Sequence, residues 1–297
     1  MLDLKGGGGG GPLGFGCGQG QGEIGGVGQF HLEGGCKVVR GITLEEILEE
    51  KRAEVERRKR EGLPPFRRPR PGEFRKAVAM EGLSVIAEVK YGSPLKGSFG
   101  VNFSPSELAR AYERGGARAI SVLADRKFFG GGPEVVAEVR RATSLPLLYK
   151  DFVVDEWQIM EAASLGCDAV LLVVAALTDR ELRALYKMAT DEGLEPLVEV
   201  HDEAELERAL SLSPRVLGIN NRNLRTMEVD LSTFGRLAPK VGEGVLLVAE
   251  SGIRAARDAL RMAKEGADAV LVGEAVSTSP DPEEAVREFL RLEEGGD

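Results

Sequence analysis

A rhythm constrains this chain more than any single residue does. From Ser84 onward, short apolar runs recur at 84–90, 119–124, 146–150, 169–175, 196–201, 216–220, 245–250 and 269–273. Amphipathic stretches alternate with them, at 105–115, 133–142, 156–165, 179–192, 203–212, 231–240, 254–265 and 282–292. The apolar runs are rich in β-branched residues and read as buried strands. Each strand–helix unit takes roughly 20–35 residues, so the strands are expected to lie parallel in one sheet. Eight such units match an α/β fold of the (β/α)8 kind, the TIM barrel. A doubly wound open sheet is the alternative. It fits less well, because no clear glycine-rich nucleotide turn follows the first strand.

Several of the expected helices run into a glycine followed by small residues: Gly115-Gly116-Ala117, Gly166-Cys167-Asp168-Ala169 and Gly266-Ala267-Asp268-Ala269. A glycine just past a helix end is a C′ cap. These helix-to-strand loops belong to the stability face of the barrel and receive no catalytic role.

Upstream of the rhythm the chain changes character twice. Thr43 with Glu46 spells a capping box, opening a helix to about Glu61. Leu44, Ile47, Leu48 and Val55 form its apolar side. The basic run Arg57 to Arg60 is expected on a solvated face. Leu63 to Pro71 is a Pro- and Arg-rich connector, and Glu73 to Met80 a short second helix. Residues 1–41 are dominated by glycine, including Gly6 to Gly11. So little apolar surface cannot offset the entropy of ordering, and a disordered tail is expected. The glycine spacings there follow no strand and make no dinucleotide site. The expected division is tail 1–41, N-terminal helical extension 42–83 and catalytic barrel 84–297.

The net charge of −9 argues against a nucleic-acid-binding surface. It leaves room for an anionic small substrate held by local Lys and Arg. No run reaches ~18 apolar residues, so no membrane span is expected, and no apolar h-region marks a secretory signal. Cys17, Cys36 and Cys167 fit neither a zinc spacing nor a disulfide framework. They read as reduced thiols of a cytoplasmic protein. His31 and His201 are too few for a His-based metal site, and no metal is expected.

Active sites of such barrels lie at the C-terminal ends of the strands. The first run carries Glu88 and Lys90, two apart and so on one face, before Gly92, Ser93, Pro94 and Gly97 break it into a loop. A buried acid and base are costly without a partner or ligand. Later strand ends add Phe128-Phe129 before three glycines, Lys150-Asp151-Phe152, Glu199-Val200-His201, Asn220-Asn221-Arg222, Glu250-Ser251-Gly252 and Gly273-Glu274. The fourth run, with Leu171, is almost wholly apolar. The turns Ser251-Gly252 and Gly273 stand where barrels bind phosphate through backbone N–H groups, and Ser93 offers a further hydroxyl. The substrate expected is a phosphate monoester with another anionic or carbonyl group and an apolar moiety facing Phe129, Phe152 and Leu171. One Lys–Glu pair would be explained as a salt bridge, although such pairs stabilise poorly. Lys90, Lys150, Glu88, Glu199 and Arg222 together form the pattern of a site. Glu250 and Asp151 also fit a role in ordering neighbours. His201 fits packing as well as catalysis.

The segments Glu88-Val89-Lys90, Ser93-Pro94, Lys96-Gly97, Lys150-Asp151-Phe152, Glu199-Val200-His201, Gly218-Ile219-Asn220-Asn221-Arg222 and Ala249-Glu250-Ser251-Gly252 closely resemble the indole-3-glycerol phosphate synthase family. The resemblance runs in order over about 43–297 and includes helices before the first strand. It implies ring closure of 1-(2-carboxyphenylamino)-1-deoxy-D-ribulose 5-phosphate to indole-3-glycerol phosphate, CO2 and water, with no cofactor. It implies Lys150 as general acid, Glu199 as general base, and Lys90 as second acid and anion contact. Glu88 and Asn220 would orient these groups and bind sugar hydroxyls. Arg222 would hold the anthranilate carboxylate or the Glu side chains. Pro94, Phe129, Phe152 and Leu171 would enclose the aryl ring, with Ser93, Ser251, Gly252, Gly273 and Glu274 at the phosphate and Glu250 beside the substrate. The only partner implied is this phosphorylated small molecule; association with other tryptophan-pathway enzymes is not evident in the sequence. The chain departs from the pattern at Tyr91-Gly92, where the family often has a basic residue and Ala. It departs again at Glu274, where Ser is common and only the backbone donor would survive. The rival readings are a phosphoribosyl isomerase on the same fold and a non-enzymatic interaction protein.

Overall fold

The apolar runs become eight strands of one closed barrel: β1 (Ser84–Val89), β2 (Ala119–Leu123), β3 (Leu147–Lys150), β4 (Ala169–Val173), β5 (Glu195–Val200), β6 (Val216–Asn220), β7 (Leu246–Glu250) and β8 (Ala269–Val272). The computed structural model describes residues 43–64 and 68–291. The expected glycine-rich tail, 1–41, lies outside the described residues. Barrel neighbours pair in parallel, and β1 closes the ring by pairing with both β2 and β8. Closure leaves no free edge, and helices cover the outside. Strands buried on both faces must then be apolar throughout. Val85, Ile86, Ile120, Leu148, Val170 and Val198 are all fully buried.

Ten helices of five or more residues accompany the strands among the described residues: α1 (Leu44–Glu61), α2 (Glu73–Val78), α3 (Pro105–Gly115), α4 (Pro133–Ala142), α5 (Glu156–Ser164), α6 (Asp179–Asp191), α7 (Glu203–Leu210), α8 (Ser232–Leu237), α9 (Ala256–Lys264) and α10 (Pro282–Leu290). Their starts follow from side-chain caps. Thr43/Glu46, Ser104/Glu107 and Thr178/Glu181 form full capping boxes, each cap being worth about 1 kcal/mol. Gly116, Gly166 and Gly266 take φ of +93°, +78° and +101°, as C′ caps require.

The basic run on α1 departs from expectation. Arg58 is buried rather than solvated, and Lys51 is wholly enclosed. Lys51 Nζ lies 2.7 Å from Glu54, 2.6 Å from Asp125 beyond β2 and 2.8 Å from Asp151 beyond β3. Arg58 reaches Glu54 (3.3 Å), Asp151 (3.5 Å), Glu161 and the Tyr149 hydroxyl (2.7 Å). Charge periodicity on one helix cannot show that its partners wait on another element. These contacts seat α1 against the strand ends where the chemistry-bearing residues gather.

The loops after the strands hold small elements that no periodicity announced. Gly92–Ser93 and Gly97–Ser98 pair as a tiny hairpin, and Arg126–Phe129 and Glu274–Ser277 are single helical turns. The fourth apolar run leaves the sheet at Val173 and finishes as a 3-10 turn, Val174–Ala176.

Candidate active site

Three strand ends meet at one ammonium. Lys150 closes β3, and its Nζ lies 2.8 Å from Glu250 Oε2 on β7 and 3.4 Å from Glu88 Oε2 on β1. Glu88 also faces Lys90, with Nζ 3.5 Å from Oε1, and accepts a 3.3 Å hydrogen bond from the Ser121 hydroxyl. Lys90 continues over the ring of Phe129, 5.5 Å from its centroid. The room for Glu88 comes from β8, because a side chain on Gly273 would place Cβ 2.6 Å from Glu88 Oε1.

Glu199 stands one residue before the end of β5, and Asn220 ends β6. Both are buried. Asn220 Oδ1 accepts from the Arg222 backbone N–H (3.0 Å), and Arg222 donates to the Met227 carbonyl (2.9 Å). The His201 side chain, 7% exposed, lies next to Glu199, its Nε2 3.2 Å from Glu199 Oε1. Ser251 holds φ of +64°, a conformation that non-glycine residues avoid and that persists mainly at functional turns. Its carbonyl accepts from Asn221 Nδ2 at 3.2 Å.

Burial works against every charge here, and the pairing decides which charges persist. Burial pushes Glu88 up, but Lys150 and Lys90 hold it below the usual carboxylate range. The same holds for Glu199, which His201 and Lys150 bring down to about 2. Glu250 goes the other way. Burial and the neighbouring Glu199 carboxylate push it up to about 8 against the pull of Lys150. Burial and their mutual repulsion therefore favour the anion on Glu199 and the proton on Glu250. Burial lowers Lys90, and Lys150 and Arg222 lower it further against Glu88. Burial would lower Lys150 too, but Glu250, Glu88 and Glu199 hold it above the ordinary ammonium range.

These groups open onto a cavity with one charged and one apolar side. Glu88, Lys90, Lys150, Glu199, Asn220 and Arg222 form the first, and Leu123, Phe129, Phe152, Leu171, Val173 and Leu224 the second. A second cavity shares Glu88, Lys90, Lys150 and Arg222 and runs to Ser251, Gly252, Gly273 and Glu274. Ser93 and Pro94 line the mouth above. All the expected site residues thus lie at one end of the barrel. Glu250 differs in being fully buried, so it acts on the cavity through Lys150. Glu274 is paired with Lys96 across the mouth. Leu44 and Ile47 of α1, and Arg254, also line the mouth. The first two read in sequence as an ordinary apolar helix face. Arg254 carried a usable signal, a cation just after the Ser251-Gly252 turn.

The model of the indole-3-glycerol phosphate synthase family matches residues 44–289. A protein named indole-3-glycerol phosphate synthase from Parafrankia sp. is 46% identical over 254 residues, covering 84% of this chain and 95% of that one. One of the same name from Nocardioides sp. is 50% identical over 231 residues, covering 78% and 87%. The chain belongs to the indole-3-glycerol phosphate synthase family. It is accordingly an enzyme, a decarboxylating carbon–carbon lyase of tryptophan biosynthesis. More distant solved structures share the fold alone. Thiamine phosphate pyrophosphorylase from Pyrococcus furiosus is 18% identical with a TM-score of 0.55, covering 71% of this chain and 95% of its own. For 3-hexulose-6-phosphate synthase from Salmonella typhimurium the values are 13%, 0.57, 71% and 98%. Among the described residues no helix is long and apolar enough to cross a membrane.

Proposed function

We propose that indole-3-glycerol phosphate synthase chemistry runs here on Lys150, Lys90 and Glu199. The substrate is 1-(2-carboxyphenylamino)-1-deoxy-D-ribulose 5-phosphate. The observation that carries this reading is the convergence of two ammonium groups and an ionised carboxylate on a cavity with one apolar side. Phe129, Phe152, Leu171 and Pro94 receive the aryl ring. Ser93 and the backbone donors of Ser251, Gly252, Gly273 and Glu274 receive the phosphate. Glu274 contributes no side-chain donor, because its carboxylate repels a phosphate and faces Lys96.

The ring carbon bearing the carboxylate attacks the ribulose carbonyl, and a carbon–carbon bond forms as the carbonyl oxygen becomes an alkoxide. Lys150 donates its proton to that oxygen. Its raised pKa is no obstacle, since an alkoxide is more basic than any lysine amine, and the acid is always loaded. The carbon–carbon bond to the carboxylate then breaks, CO2 departs and the ring regains aromaticity. Dehydration needs an acid at the leaving hydroxyl and a base at the adjacent CH2. Lys90, the ammonium with the lowered pKa, supplies the first, and Glu199 takes the proton. Two protons are given and one is taken, so each turnover draws one from solvent. Glu88, Asn220 and Arg222 orient the chain of the sugar and the carboxylate of the ring.

The same reading treats 42–83 as an extension that closes the mouth of a barrel domain 84–297, and it places the enzyme in the cytoplasm. Fluorescence of the indole product on mixing enzyme with the substrate is the direct test. Lys150→Met is expected to reduce turnover at least about 100-fold while substrate still binds. Turnover close to that of the unaltered chain would remove Lys150 from the role of acid.

A further inference from the structure

We propose that His201 is the positioning residue of Glu199: clamped between Glu199 and Glu205, its ring fixes the base carboxylate and supplies its counter-charge. The inference rests on the reading of Glu199 as the general base.

The clamp is built from the backbone outward. His201 directly follows β5, two residues past Glu199. Glu205 sits in the first turn of α7, which Asp202 caps. One oxygen of Glu205, Oε2, accepts from the His201 backbone N–H at 2.9 Å and faces ring Nδ1 at 2.8 Å. Two grips on one carboxylate oxygen leave the ring little freedom to turn. Its other nitrogen, Nε2, then lies 3.2 Å from Glu199 Oε1. Nε2 is buried and makes no well-aligned hydrogen bond, so the contact is an ion pair rather than a linear bond. His201 is absent from the walls of the cavities described above, and it reaches the chemistry only through Glu199.

A ring with a carboxylate at each nitrogen is satisfied only as an imidazolium. Neutral imidazole would turn a lone pair toward one of the two acids. Burial opposes the charge, but Glu199 and Glu205 overcome it and push the ring up to about 10. These two carboxylates, from β5 and α7, are the charged groups facing the ring. Beyond Glu199 stand Lys150 on β3, Asn220 on β6 and Glu250 on β7.

The consequence lies in the shared proton. Glu199 and Glu250 are both buried and cannot both ionise cheaply. Lys150 touches Glu250, which by itself would favour the anion there and leave Glu199 protonated and useless as a base. His201 favours the anion on Glu199 instead. It thereby decides which of the two acids can accept a proton from substrate.

The test is His201→Gln in the full chain, with kcat and KM followed against pH on the carboxyphenylamino-ribulose phosphate. Gln keeps a donor but removes the charge. Loss of the cation raises the pKa of Glu199, so the base protonates at higher pH and activity is lost earlier on acidification. The acidic limb of kcat is expected to move up by about one pH unit or more, with kcat at pH 7.5 down about tenfold or more and KM within about threefold. An acidic limb coincident with the unaltered enzyme overturns the proposal even if kcat falls, because packing alone would do that. A second measurement needs no substitution at the site. The chain has two histidines, so NMR of the ring nitrogens, with His31→Gln to assign them, reads the state of His201 directly. It is expected to be doubly protonated at pH 7.5, and a neutral ring there overturns the proposal. Glu199→Gln serves as the control. If it retains full turnover, the reading of the base fails; if it collapses while His201→Gln leaves the limb in place, the present inference fails alone.

Discussion

Gly218 is the gap through which two acids meet. In register, Glu199 of β5 pairs with Gly218 of β6, and Asn220 pairs with Glu250 of β7. Glu250 leans back over the glycine, where an added Cβ would stand 2.3 Å from its Oε1. Acids from strands that are not neighbours therefore feel each other because the strand between them has no side chain at that point. Gly218→Ala must push Glu250 aside, and with it the 2.8 Å contact to Lys150. Turnover is expected to fall at least about tenfold, since misplacement of a catalytic group by about 1 Å is enough for more than that. The thermal midpoint should drop only by the equivalent of about 1–3 kcal/mol. Steady-state kinetics with a melting curve checks both, and unchanged kcat would mean that Glu250 can move without Lys150. The acids and lysines were legible in the sequence because charge inside an apolar run is conspicuous. Gly218 was not, because what it makes room for comes from a strand about 30 residues later. His201 was half legible: its place after the strand is plain, but the carboxylate that turns its ring toward Glu199 sits on the next helix.

At the scale of elements, α1 is held by charge as much as by its apolar face. Lys51 is enclosed by Glu54, Asp125 and Asp151, and the last two stand in loops that also line the cavity at the strand ends. Lys51→Met leaves these acids without their cation. A buried partner lost from such a cluster costs about 3–5 kcal/mol, so the denaturant midpoint should fall well below that of the unaltered chain. A change under about 1 kcal/mol would show that water replaces the ammonium without penalty. Strands and helices were placed almost completely by period and caps, since each is a local property of the chain. The burial of Lys51 and Arg58 was not, because the sign of a charge's contribution depends on partners brought by the barrel. The single-turn elements at Arg126–Phe129 and Glu274–Ser277 escaped for a simpler reason: four residues are too few to show a period.

The whole molecule feels the site through its stability. A barrel needs its strand ends only as termini, yet this one buries Glu88, Glu199 and Glu250 there. Glu250 has a folded pKa of about 8 against an ordinary value of 4.5. A carboxyl raised on folding contributes stability that is complete below its unfolded pKa and is lost as pH rises through the folded one. For Glu250 the window of loss runs from about 4.5 to about 8. Glu199, brought down to about 2, has the opposite sign and contributes above about 4.5, its effect disappearing only in strong acid. Because the two acids are coupled, the pair rather than either residue sets the observed profile. Glu250→Gln replaces the raised carboxyl with a group that does not titrate. Relative to the unaltered chain, the variant should gain ground as pH rises, by up to a few kcal/mol between pH 5 and pH 8.5. Melting both proteins at those two pH values measures the difference of differences. An identical gap at both would show that Glu250 is ionised throughout, and that Lys150 rather than His201 governs where the shared proton resides.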